Sequence, residues 1–207
     1  MSAGWYRNYG KRAFDLVVSS SLLITVLPLF LVVGALVWWN LGRPVYFRQE
    51  RPGLDETPFT LVKFRTMTDA RDSSGRVLAD DQRLTRFGRM LRRTSLDELP
   101  ELVNVIRGDM SLVGPRPLLM AYLPLYDDFQ RRRHSVRPGI TGWAQIRGRN
   151  AVDWESRFEL DVYYVEHLSM WLDLKVLART FAAVLSRAGV SQPGEATMKH
   201  FQGSLRE

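Results

Sequence analysis

"LVVSSSLLITVLPLFLVVGALVWW", residues 16–39, runs without a single charged side chain. A bilayer crossing needs about 20 apolar residues, so the segment is long enough for one. Pro28 stands near its middle, where a proline removes a backbone hydrogen bond and costs a helix about 3 kcal/mol. Divided there, each half is about 18 Å of helix, against a hydrocarbon core of about 30 Å. Arg7, Lys11 and Arg12 precede the segment, and Arg43, Arg48 and Arg51 follow it. Positive charge favours the cytoplasmic side. A straight span would carry one basic flank across the membrane, whereas a helix–break–helix hairpin keeps both in the cytosol. Ser19, Ser20, Ser21 and Thr25 stand where hydroxyls can serve carbonyls freed near a bend. Re-entrant hairpin, kinked single span and buried core helix all remain open on these residues. A signal peptide is disfavoured, because no small-x-small cleavage pattern follows.

The whole chain has 207 residues, enough to bury a real core as one domain with an appendage. Its 29 basic and 22 acidic side chains give a net charge of +7, which predicts an anionic partner: phosphate ligand, lipid headgroups or nucleic acid. With no cysteine, disulfides and Cys-based zinc sites are excluded. Only His134, His167 and His200 remain as soft ligands, so a hard cation held by carboxylates is the metal chemistry left open. Six Trp, seven Tyr and ten Phe, several beside basic residues, fit a lipid–water boundary.

Beyond the apolar segment, "RPVYFRQERPG" and "FTLVKFRTM" read as short β-rich pieces around a turn at Pro52 and Gly53. Residues 69–83 are polar and read as a surface loop. "RLTRFGRMLRR" has helical spacing with a basic face, and "SLVGPRPLLM" is a turn punctuated by Pro and Gly. Residues 136–150 read as a long Gly-rich loop carrying Arg137, Arg147 and Arg149. In "SMWLDLKVLARTFAAVLSR", Trp171, Leu174, Leu177, Phe181 and Val184 share one helical face, which suits either the membrane interface or the core. The organisation expected is a membrane helix region over 1–42, a catalytic region over 43–188 and a tail over 189–207.

"TSLDELPELVNVIRGD", residues 94–109, places Asp97 and Glu98 together ahead of a proline and an apolar run. Ser95 and Glu98 fit the S-x-x-E capping box, the commoner use of such spacing. Pro100 is awkward in that register, and a start with Asp97 as N-cap tolerates it better. Leu99, Leu102, Val103 and Ile106 form the apolar stripe in both registers. Either start puts the carboxylates where helix amides favour anions. A carboxylate there can also attack phosphorus, and a divalent cation would reduce the repulsion from an anionic substrate. Lys63, Arg65, Arg92, Arg93, Arg116, Arg137, Arg147 and Arg149 supply cations suited to phosphate oxygens. Cap and nucleophile both stand on these residues.

The ordered motifs resemble a known family. "KRAFDLVVSS" at 11, the Pro-broken segment, "RPGL" at 51, "KFRTM" at 63, "TSLDELPELVNVIRGDMSLVGPRPLL" at 94, "RPGITGWAQIRGRN" at 137 and "RFELDVYYVEH" at 157 are similar to the small monotopic phosphoglycosyl transferases, the PglC-like bacterial sugar transferases. The resemblance implies a mainly helical α/β fold: a re-entrant hairpin, interfacial amphipathic helices and a compact cytosolic catalytic head at the bacterial inner membrane. It implies transfer of a phosphosugar from a UDP-sugar to undecaprenyl phosphate, with release of UMP. The route implied is ping-pong, through a covalent aspartyl-phosphosugar, with Mg²⁺ as cofactor. Asp97 would be nucleophile and lie beside the metal, Glu98 would assist, and Lys63, Arg92 and Arg116 would bind phosphates; Arg137 and Arg149 join them as substrate-binding candidates. Leu27 departs from the Ser-Pro that often marks the family's bend. The rival is a non-catalytic anchored module binding anionic lipid or nucleic acid, but no nucleic-acid motif is present and the acidic pair goes unexplained.

Overall fold

The computed structural model describes residues 3–147, 153–185 and 201–203. Its first long element is helix α1, Lys11–Leu41, preceded by a π-helical turn over Tyr6–Gly10. The helix passes through Pro28 without interruption, which corrects the expected break into two helices. The Thr25 hydroxyl donates to the Ser21 carbonyl at 2.9 Å and Ser19 to that of Asp15, so neither reaches the Ile24 carbonyl left without its usual donor by Pro28.

One face of α1 packs along the rest of the protein from end to end. Lys11, Asp15 and Ser19 are buried near its start, Leu23 and Val26 pack against the main core, and Val33 and Val37 are buried with Phe64 and Leu91 near its end. Steps of three and four residues keep these positions on one stripe. The opposite face stays open, with Val17, Ile24, Leu31 and Trp39 all more than 60% exposed. The helix therefore lies along the head rather than projecting from it.

The basic residues at the start of α1 have a second use. Lys11 is ion-paired with Asp173 at 2.7 Å, and Arg12 donates to the carbonyls of Val105 and Ile106 at 2.6 and 2.8 Å. Arg65 donates to Leu41 at the other end of the helix. Cations near last-turn carbonyls complete hydrogen bonds that a helix leaves open.

Strands β1, Tyr46–Pro52, and β2, Pro58–Phe64, form an antiparallel hairpin with Tyr46 opposite Phe64, as the β-rich pieces predict. Helix α2, Arg86–Arg93, packs closely on the segment after β2: a Cβ at Gly88 would meet the Thr66 carbonyl oxygen at 1.9 Å. Helix α3, Glu101–Arg107, leads to β3, Ser111–Val113, which pairs in parallel with β4, Gly139–Thr141. Both strands fall in segments whose prolines and glycines predict turn and loop, and the pairing corrects that expectation. The two backbones lie so close that a Cβ on Gly139 would meet Gly114 N at 2.1 Å, which accounts for both glycines.

Helices α4, Trp154–Glu166, and α5, Met170–Leu185, complete the head. On α5 the predicted apolar face is outward, with Trp171 76% and Phe181 67% exposed, while Leu172, Asp173 and Val176 face the core. Asp173 receives Lys11 Nζ, Tyr6 Oη at 2.7 Å and Tyr164 Oη at 2.6 Å, so it ties the start of α1 to α4 and α5. Most of the region expected as a tail lies outside the described residues, but Phe201 departs from that expectation. It is buried among Tyr122, Tyr126, Trp154 and Phe158, with ring centroids 5.2–5.8 Å away.

Removing one partner of a buried ion pair typically costs about 3–5 kcal/mol. Asp173→Ala is expected to destabilise by that order and to lower the thermal midpoint of the detergent-solubilised protein. An unchanged midpoint would contradict the clamp.

Candidate active site

Asn104 fixes the frame. From α3 it accepts from Val62 N at 3.2 Å and donates to the Thr60 carbonyl at 2.8 Å, locking α3 against β2. That sets Glu101, in the first turn of α3, 2.9 Å from Lys63 Nζ on β2. Neither Asn104 nor Glu101 stood out in the sequence. The only signal was a third acid four residues after Asp97, in a run that otherwise reads as helix.

The chain enters the acidic pair through Ser95, which has φ of +55° in the left-handed region, uncommon outside glycine. A short 3₁₀ turn over Leu96–Glu98 follows, and α3 starts only at Glu101 with Pro100 before it. Ser95 makes no side-chain capping bond, and neither acid caps α3. Both capping registers are thereby corrected. Pro100, whose missing N–H needs no partner in the first turn, decides where α3 begins. The apolar stripe also rotates: Leu102 and Val105 are buried, while Leu99, Val103 and Ile106 are only partly so.

Glu98 is held instead by cations. Its Oε1 accepts from Lys63 Nζ at 2.7 Å and from Arg116 Nη2 at 2.8 Å. Burial opposes its charge, yet Lys63 and Arg116 outweigh that and hold the carboxyl well below the ordinary range. Arg116 is shifted upward by the Glu98 charge. Lys63 is also raised, its burial outweighed mainly by Glu98. Glu101 is 2% exposed and its carboxyl is raised by burial and by the Glu98 charge.

Asp97 differs. It is 7% exposed, and its carboxylate makes no hydrogen bond or ion pair among the described residues. Burial, then the Glu98 charge, raises its carboxyl, with Lys63, Arg92 and Arg116 acting in the opposite direction from nearby. Arg92 itself donates to Thr66 Oγ1 at 3.1 Å. The result is one free carboxylate beside a tied one, within the field of three cations. Such a group is available to a metal cation or to an electrophilic phosphorus.

Arg116 is placed from behind. Arg133 Nη2 donates to the Arg116 carbonyl at 2.7 Å and to Asp161 at 2.8 Å, both side chains being buried. The structure thus brings together Lys63, Arg92, Arg116, Asp97 and Glu98. Arg137 is placed elsewhere: its Nε donates to the Gly108 carbonyl at 2.8 Å, beyond the far end of α3. Arg149 lies outside the described residues. Among the described residues no group of three or more His, Cys, Asp or Glu side chains is arranged to hold a metal.

Comparison with known proteins places the chain in a family. A model of the bacterial sugar transferase family matches residues 6–187. The uncharacterized sugar transferase EpsL of Bacillus subtilis is 56% identical over 194 residues, covering 94% of this chain and 96% of that protein. The exopolysaccharide production protein ExoY of Sinorhizobium fredii is 40% identical over 86% of both chains. The UDP-glucose:undecaprenyl-phosphate glucose-1-phosphate transferase of Escherichia coli is 40% identical over 82% of this chain, which spans only 39% of that longer relative. With the match running from the turn before α1 to the end of α5, the chain belongs to the bacterial sugar transferase family.

Proposed function

We propose that the protein transfers a phosphosugar from a UDP-sugar to undecaprenyl phosphate, releasing UMP, through a covalent intermediate on Asp97. The observation that carries this reading is the division of labour in the acidic pair. Glu98 is tied to two cations, while Asp97 is buried, unpaired and within their field. The related UDP-glucose:undecaprenyl-phosphate glucose-1-phosphate transferases of Escherichia coli, Klebsiella pneumoniae and Caulobacter vibrioides support the overall reaction.

In the first step an Asp97 oxygen attacks the phosphorus next to the sugar. The bond to the bridging oxygen breaks, and UMP leaves with the electron pair. In the second, a phosphate oxygen of the polyprenyl acceptor attacks the same phosphorus, and the Asp97 carboxylate is released. Lys63, Arg92 and Arg116 orient the phosphoryl oxygens and stabilise the charge gathering on them. Glu98 competes for Lys63 and Arg116 before substrate arrives and yields them to the phosphates. Its freed carboxylate then stands beside the acceptor phosphate. Mg²⁺ fits the free Asp97 carboxylate, where it would supply positive charge between that group and the phosphates.

The anchor reading follows from α1. Its outward face is apolar, as is that of α5. Because α1 lies along the head throughout, crossing the bilayer upright would draw charged head residues into hydrocarbon, at several kcal/mol each. A shallow position, with both ends of α1 on the cytosolic side of the inner membrane, avoids this. It also holds Asp97 at the level of a lipid phosphate.

Asp97→Asn is expected to reduce UMP release from a cognate UDP-sugar by roughly 10³-fold or more, in keeping with loss of a nucleophile. Near-normal turnover would remove Asp97 from that role. Should wild-type protein release no UMP across a broad UDP-sugar panel with undecaprenyl phosphate and Mg²⁺, the transfer reaction itself is wrong. For topology, the chain has no native cysteine, so single cysteines at Ser2 and Ser73 can be labelled selectively. Both are expected to react from the cytosolic side only, and opposite-sided labelling would restore a crossing helix.

A further inference from the structure

Beyond the acidic pair, a second group of guanidinium groups gathers around Arg116. Arg51, at the end of β1, donates to Gln49 Oε1 at 2.7 Å and contacts the Pro117 carbonyl at 3.5 Å, while its Nε is buried without a partner. Arg157, on α4, lies over the Trp154 ring at 5.2 Å. Neither makes an ion pair among the described residues: Asp161, whose charge lies near Arg157, is bonded to Arg133, and Glu101, whose charge acts on Arg51, is paired with Lys63. Both are partly buried, and burial, with the Arg116 charge acting in the same direction, weakens the hold of each on its proton against the opposing charges of Glu101 near Arg51 and Asp161 near Arg157. Clustered, partly desolvated like charges are costly unless an anion completes them.

The position of this cluster selects among anions. Its wall is the aromatic group of Tyr122, Tyr126, Trp154, Phe158 and Phe201, and no residue of α1 belongs to that group. Helix α1 packs instead into the other two cores. The arginines therefore stand beside the one core that α1 does not enter, which favours a soluble ligand over a lipid phosphate.

We propose that Arg51 and Arg157, sharing Arg116 with the acidic pair, form a second phosphate subsite for the phosphate of the leaving nucleotide. The inference rests on the phosphosugar-transfer reading and adds to it two binding residues and a direction. The sugar-bearing phosphate meets Asp97, Lys63 and Arg92, the nucleotide phosphate meets Arg51 and Arg157, and Arg116 touches both. The aromatic wall beside Arg157 then lies next to the nucleoside.

Calorimetric titration of the detergent-solubilised full chain tests this without turnover, using UMP and, separately, farnesyl phosphate. Arg51→Gln and Arg157→Gln are each expected to weaken UMP binding about tenfold, the order of a lost charge-assisted hydrogen bond. Farnesyl phosphate binding is expected to change less than twofold. Arg51→Lys and Arg157→Lys, which keep the charge, are expected to retain most of the UMP affinity. UMP binding at wild-type strength in both Gln variants would overturn the subsite. So would an equal loss in the Lys variants, which would make the effect one of packing. A loss confined to farnesyl phosphate would assign the arginines to the lipid acceptor and overturn the nucleotide assignment. None of these outcomes depends on UMP release, so failure of the subsite is distinguishable from failure of the transfer reaction.

Discussion

A single oxygen organises the candidate site: Glu98 Oε1, shared between the ammonium of Lys63 and the guanidinium of Arg116. Three separate parts of the chain meet there, β2, the turn before α3 and the segment after β3. Asn104 braces β2, and the segment after β3 is held twice, by Gly114 against Gly139 and by Arg133 on the Arg116 carbonyl. Buried ion pairs add little net stability when their desolvation is counted, but removing one partner is costly. The arrangement is thus a poor device for stability and a good one for holding cations ready. In the proposed reaction a phosphate takes the place of the Glu98 oxygen on Lys63 and Arg116. Asp97, left out of this exchange, stays free.

The same logic extends to the membrane side. Lys11 and Arg12 look in the sequence like flanking charges that keep a helix end in the cytosol. In the structure Lys11 meets Asp173 and Arg12 closes the last carbonyls of α3. The start of α1 is therefore fastened to the C-terminal end of the very helix that follows the acidic pair. Helix α1 and the acidic pair are joined by these contacts, so in the proposed membrane position the depth of α1 sets the height of Asp97 relative to the lipid phosphates.

Much of this was legible from local patterns. β-Rich pieces around a turn at Pro52 and Gly53 pointed to the β1–β2 hairpin, and spacing on α5 showed an apolar face that suited interface or core and lies mostly outward. The acidic pair and three of its cations were visible as motifs. What could not be read depends on contacts across long stretches of chain. Strands β3 and β4 are three residues each, too short to show a period, and their glycines mark backbone approach rather than a loop. Glu101 became a site residue only because Asn104 docks α3 on β2. Arg137 shares its type and motif setting with Arg116, yet it points to Gly108 at the other end of α3. The capping box failed because Pro100 delays the helix, and the acids then found stronger partners.

The central claim is that Asp97, and not its neighbour, carries the phosphosugar. The most direct measurement is an acid-quenched single turnover with UDP-sugar and Mg²⁺ but no acceptor, followed by tandem mass spectrometry of the peptide spanning 94–107. The account predicts a phosphosugar-sized mass increment on Asp97 that disappears when undecaprenyl phosphate is added before the quench. An increment on Glu98 or Glu101, or UMP release with no adduct on this peptide at any time, would contradict it.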